Sequence, residues 1–132
     1  MKEVTNLIVR EYNIKKVGCD FMGYKINKVN ELTYHHLIIP KRKHGPETVA
    51  NGCALLPVSH QYLHLIEYYD EKKFAQITSE IIDQKIKGHI DKENLLAIRE
   101  ILLQFEEENK NKKNSKGKRL IQQKYRTGRI EL

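Results

Sequence analysis

Two short apolar runs, each closed by a proline, constrain this chain more than any other feature. Leu32 to Ile39 reads Leu, Thr, Tyr, His, His, Leu, Ile, Ile, mostly β-favouring residues, and Pro40 stops it, which predicts a strand. Lys41 to Asn51 is a polar loop holding Gly45 and Pro46, and Gly52 to Leu56 is a second apolar run. Pro57 follows, and proline suits a first helical turn, so a helix is predicted over residues 57–69. The local order is strand, long loop, strand, helix, and the fold class expected from it is α+β.

The rest of the chain has to brace that unit. Val4, Leu7, Ile8, Val9, Tyr12 and Ile14 lack a clean period, and the leaning is to a helix over 2–16. Gly18 and Gly23 bracket Cys19 to Met22, with Phe21 to Ile26 expected as a short strand and Asn27 to Glu31 as a polar turn. Phe74, Ile77, Ile81 and Ile82 recur at three and four, predicting a helix over 71–87 that stops at Gly88. Asp91 is placed to cap the next helix, with Ile90 packing back on Leu95 as a staple. Leu95, Ile98, Leu102 and Phe105 fall on one stripe of it, which fades near Glu108.

With 132 residues, one core and at most a short appendage is expected. The apolar runs Leu37 to Ile39 and Ala54 to Leu56 fall far short of the roughly 20 residues that span a bilayer, so no membrane is expected among the partners. The start Met1, Lys2, Glu3 opens no apolar core of leader length, and Cys19 and Cys53 are the only cysteines. A cytoplasmic setting with both thiols reduced, unpaired and buried is the resulting expectation.

Charge is segregated. Residues 1–108 hold 15 Lys or Arg against 16 Asp or Glu, whereas residues 109–132 hold nine against the single acid Glu131. Asn109 to Gly117 is a polar, low-complexity linker by composition, and a basic tail follows to residue 132. Such a block is either a solvated tail or an electrostatic arm for a polyanion. As an arm, Lys116, Lys118, Arg119, Lys124, Arg126 and Arg129, with Tyr125 among them, would track a nucleic-acid backbone.

Four of the six histidines fall inside the strand, loop, strand, helix unit, at 35, 36, 60 and 64. His60 and His64 are four apart on the predicted helix, so both rings leave one face and can converge on one divalent ion. His35 and His36 are neighbours on a strand and point to opposite faces, so one can complete a metal site while the other stands apart as a base. Phosphodiester hydrolysis uses that division, because a nitrogen bound to metal cannot also take a proton from water.

The run Leu32 to Pro40, with Asn51, Leu55, Leu56, His60 and His64, resembles the HNH endonucleases and their ββα-metal fold. Counted from His36, the steps to Asn51, His60 and His64 are 15, 24 and 28, a spacing similar to that of colicin-type DNase domains. The resemblance covers about residues 20–70 and implies an HNH nuclease domain over 1–108, with helical bracing over 71–108. It implies His35, His60 and His64 as ligands of one divalent metal (Mg, Mn, Ni or Zn), His36 as general base, and Asn51 as the residue that ties the loop and holds the His36 ring. The activity implied is a hydrolase, a metal-dependent endonuclease cutting DNA, with RNA as the alternative substrate and a non-catalytic nucleic-acid-binding module as the alternative function. The paired-cysteine knuckles of many members are missing, and His35 stands where many carry an acid, which favours softer ions. Lys41, Arg42 and Lys43 directly follow the first strand and are placed to steer a phosphate toward the metal. A monomer or a homodimer is expected, the stripe from Leu95 to Phe105 either closing the core or forming a seam.

Overall fold

In the computed structural model, which describes residues 2–127, helices surround one small antiparallel sheet. The elements are α1 (Lys2–Glu11), α2 (Ile14–Val17), β1 (Thr33–His36), β2 (Gly52–Leu55), α3 (Pro57–Tyr69), α4 (Glu71–Lys87) and α5 (Lys92–Asn109), with 3-10 turns at Val29–Glu31, Lys41–Lys43 and Gln123–Tyr125. The class is α+β. No helix among the described residues is long and apolar enough to cross a membrane.

β1 and β2 pair with Thr33 opposite Leu55, Tyr34 opposite Ala54, His35 opposite Cys53 and His36 opposite Gly52. Alternation therefore puts Thr33 and His35 on one face of the sheet and Tyr34 and His36 on the other. Gly52 is required there, because a Cβ would meet the Tyr34 ring at 2.2 Å. α1 packs on both strands, and α3 leaves β2 directly through Leu56 to lie against the hairpin. α4 packs on α3 and on α5, and Ile66, Ile77, Ile81, Ile98, Leu102 and Phe105 are fully enclosed in the common core.

Several expectations change. The helix over 2–16 is broken after Glu11, where Asn13 turns left-handed at φ 53° and a new turn starts at Ile14. Phe21 to Ile26 is not a regular strand; an isolated bridge joins Cys19 to Lys25, and the Met22 and Tyr24 amides donate to the Asp20 carboxylate. β1 ends at His36, since Asn51 Oδ1 takes the amides of Ile38 and Ile39. Asp91 does not cap α5 with its side chain, which bonds Lys87, although its carbonyl accepts from Leu95. Helices 57–69 and 71–87 form with the expected limits, Gly88 closing the latter at φ 82°. Both cysteines are buried and unpaired, and burial raises both thiols.

The segment after α5 is more ordered than a solvated linker. Asn114 Oδ1 accepts from the amides of Lys116 and Lys118, making a tight turn, and Leu120 N donates to Lys112 O. Leu120, Ile121 and Tyr125 are buried, with the Tyr125 ring stacked on Tyr62 of α3 at 4.9 Å and its carbonyl accepting from the Tyr24 hydroxyl. A basic segment thus closes one side of α3 through its few apolar side chains.

Candidate metal centre

α3 begins where a distant carboxylate holds it. Its N-cap position is Leu56, whose side chain cannot accept a hydrogen bond, and the buried Asp20 supplies the acceptor from outside. Asp20 Oδ2 takes the Leu56 amide at 2.9 Å and the Ser59 hydroxyl, while Oδ1 takes Met22 N and Tyr24 N at 2.9 and 3.0 Å. Burial pushes the Asp20 carboxyl above its usual range, against those four hydrogen bonds. One residue after Ser59, His60 leaves the helix toward β1.

His35, His60 and His64 come together. Each offers a ring nitrogen, and these nitrogens all lie within 4.8 Å of one another. His35 Nδ1 is 3.3 Å from His60 Nε2, and the His60 and His64 rings are 4.9 Å apart between centroids. The cluster grades from buried His35 through His60 to exposed His64, so it opens to solvent at one end. Burial, then the neighbouring His60 and His64, lowers His35 to about 3. Burial, then His64 and His36, lowers His60 to about 4. Both are neutral imidazoles at neutral pH, the form that binds a cation. These three histidines can hold a metal ion.

Two residues that the sequence reading passed over orient the rings. The Thr33 hydroxyl donates to Leu55 O at 2.8 Å, so its oxygen is left to accept from His60 Nδ1, also at 2.8 Å. The proton of neutral His60 is therefore on Nδ1 and the lone pair on Nε2, toward His35. Glu67 Oε1 lies 3.2 Å from His64 Nδ1, and a carboxylate can only accept, so His64 too is left with Nε2 free. Both partners stand in the position that orients metal-binding histidines and raises their basicity. Strand alternation gives Thr33 the face of His35, and helical spacing sets Glu67 three residues beyond His64; both signals were in the sequence.

His36 sits on the opposite sheet face, its ring edge-on to Tyr34 at 4.9 Å between centroids. Its Nε2 is buried and has no hydrogen-bond partner. Tyr34 is fixed by its hydroxyl, which donates to Thr48 O at 2.7 Å. Asn51 does not bond the His36 ring. It pins the loop instead, accepting from Ile38 N and Ile39 N and donating to Ile39 O and Pro46 O, both at 3.0 Å. Gly45 makes this possible, since a Cβ there would meet Ile39 O at 1.9 Å.

A cleft of about 700 Å³ lies over the histidines, bounded by β1 and the loop after it, α3 and α4. Of the basic residues singled out from the sequence, Lys41 and Arg42 line it; Lys43 is exposed beside them and does not. Arg42 reaches to 4.0 Å from Glu67, the acid that holds His64. Lys116, Lys118, Arg119, Lys124 and Arg126 are exposed on the C-terminal segment and are not brought to the cleft, and Arg129 lies outside the described residues. Lys124 bonds Gln61 of α3 at 3.2 Å. Comparisons of the chain with models of known families, with curated proteins and with solved structures give no match.

Proposed function

We propose that the chain is a metal-dependent endonuclease of the HNH kind, hydrolysing phosphodiester bonds in DNA on a ββα-metal unit made of β1, β2 and α3. The observation that carries the reading is the convergence of His35, His60 and His64, with two of their Nδ1 atoms engaged on the far side by Thr33 and Glu67. Three imidazoles and no carboxylate among them make a donor set for Zn or Ni ahead of Mg.

A divalent ion in that set supplies a Lewis acid for the phosphate and its leaving oxygen. The chain supplies the rest. His36 adjoins the cluster without belonging to it, so its imidazole is free for proton transfer; with Nε2 enclosed, Nδ1 is the nitrogen that takes the proton from water. Arg42 and Lys41 draw the phosphate into the cleft, with Arg42 facing Glu67 across 4.0 Å at the His64 end of the site. Asn51 keeps the loop that carries them from drifting.

The test is supercoiled plasmid with metal-stripped protein re-supplied separately with magnesium, manganese, nickel or zinc, beside His36→Ala. Nicked or linear product that requires metal and falls by at least about a hundredfold in the variant is expected. DNA left intact with every ion, while a gel shift still shows binding, would overturn the enzyme and leave a binding module; cleavage of matched RNA alone would move the substrate.

A further inference from the structure

The cleft has two unlike walls. Lys41 and Arg42 rise on one side. On the other, α4 contributes Phe74, Ala75, Thr78, Ser79 and Ile82, none of them charged. Phe74 and Ile82 are half-buried, packed on the core beneath while lining the cleft, and Ala75 and Ser79 are exposed. Its space, about 700 Å³, is the size of a small-ligand site.

A duplex fits such a cleft poorly. It brings two anionic backbones and conceals its base faces in the stack, so a surface that grips it spreads cations on both sides of the contact. The α4 wall has no cation for the second backbone, and its apolar groups would gain nothing from a phosphate. An unpaired strand presents the two chemistries separately, phosphate on one side and the face of a base on the other, and aromatic or apolar side chains receive the base.

We infer that this cleft takes an unpaired DNA strand, the scissile phosphate against the histidines and Arg42 and one base packed on Phe74 and Ile82 of α4. The assignment of the scissile step rests on the nuclease reading above; the binding geometry does not. In this arrangement a supercoiled plasmid is attacked where negative supercoiling opens it, so relaxed circular plasmid is cut more slowly.

The experiment uses one labelled DNA oligonucleotide alone, annealed to its complement, and as the RNA of identical sequence. Binding is read by fluorescence anisotropy on His36→Ala with the metal that best supports plasmid nicking, or with zinc if none does, and cleavage is read on the native chain. Unpaired DNA is expected to bind at least about tenfold tighter than duplex and to be cut faster. Ala75→Glu, at an exposed position and checked for an unchanged melting temperature, is expected to abolish that preference. Phe74→Leu keeps an apolar side chain but loses the ring, and is expected to cost at least about fivefold in unpaired-strand affinity. Duplex bound and cut as well as the single strand would sink the inference and leave the nuclease standing, as would single-strand binding indifferent to Ala75→Glu. Tighter binding of the RNA would overturn the DNA assignment. Single-strand binding that is lost in Ala75→Glu, with no cleavage of any substrate, would uphold the cleft's occupant and overturn the nuclease.

Discussion

The hairpin with α3 and the helical pair α4 and α5 are held by different kinds of contact. The first is tied by buried and half-buried polar groups: Asp20 at the start of α3, Asn51 across the loop, Thr33 between β1 and His60. The second is closed mainly by apolar faces, with Ile77 and Ile81 of α4 and Ile98, Leu102 and Phe105 of α5 all enclosed, and its buried polar ties are those of Gln84, to Phe21 O and the Asp91 amide, and of Asn94, to Glu80 and Asp83. Apolar burial is strong but non-directional and fixes proximity, whereas a hydrogen bond fixes direction. Directional ties are concentrated around the histidines, where a displacement of about 1 Å would spoil a coordination sphere.

The comparison is tested most severely by one substitution in each region. Asp20→Ala would remove the carboxylate that accepts from the buried Met22, Tyr24 and Leu56 amides and from the Ser59 hydroxyl, which keeps only Leu56 O, a loss of on the order of 3–5 kcal/mol. A chain that stays folded should also bind zinc poorly, since the first turn of α3 aims His60. Ile98→Ala removes enclosed apolar volume from α5 and should cost about 2–5 kcal/mol in a denaturant melt. Zinc affinity measured on its folded fraction should nevertheless match the native chain. Equal loss of affinity in both variants would erase the distinction drawn between the two regions.

How much of this could be read from the sequence follows the same division. Pro57 and Gly88 gave helices with the observed limits because such signals act locally, and the approach of His60 to His64 needed only a helical turn. That His35 and His36 face opposite ways needed only a pleat. Asp20 was invisible because its partners Leu56 and Ser59 lie 36 and 39 positions on, and nothing near residue 20 announces an acceptor for them. The stacking of Tyr125 on Tyr62 was hidden likewise, as one ring in a cationic stretch gives no period. The α4 wall was missed for another reason: Phe74 and Ile82 lie on a correctly placed helix, but only the packing of α4 on α3 turns them toward the histidines.

A gentler probe separates direction from mere proximity inside the site. Thr33→Val keeps the β-branched shape and strand preference but removes the oxygen that accepts from His60 Nδ1. The His60 ring is then free to choose its tautomer, and zinc affinity by competition with a chromogenic chelator should fall about 10–100-fold. Glu67→Gln retains an acceptor for His64 and should fall less. If Thr33→Val binds zinc as the native chain does, the hydroxyl is packing and not orientation.

The smallest effect concerns acid. With the folded-state value of His35 lowered to about 3, and that of His60 to about 4, the unfolded chain takes up protons below about pH 6.5 that the folded chain refuses. Stability of the metal-stripped protein that these rings provide is therefore present above that pH and lost as pH falls toward the folded values. For His35, the less exposed of the two, this amounts to on the order of 1–2 kcal/mol between pH 7 and pH 5. Asp20 works in the opposite sense: a buried carboxyl held above its usual range gains protons in the folded state first, so acid favours the fold at that residue. The two are separated by comparing the native chain with His35→Gln, both metal-free, in urea melts at pH 7 and pH 5. The native chain should lose more stability than the variant, by the His35 share. Equal losses would mean that His35 is already solvated and protonated without metal, and that the enclosed end of the cluster is closed only when an ion is bound.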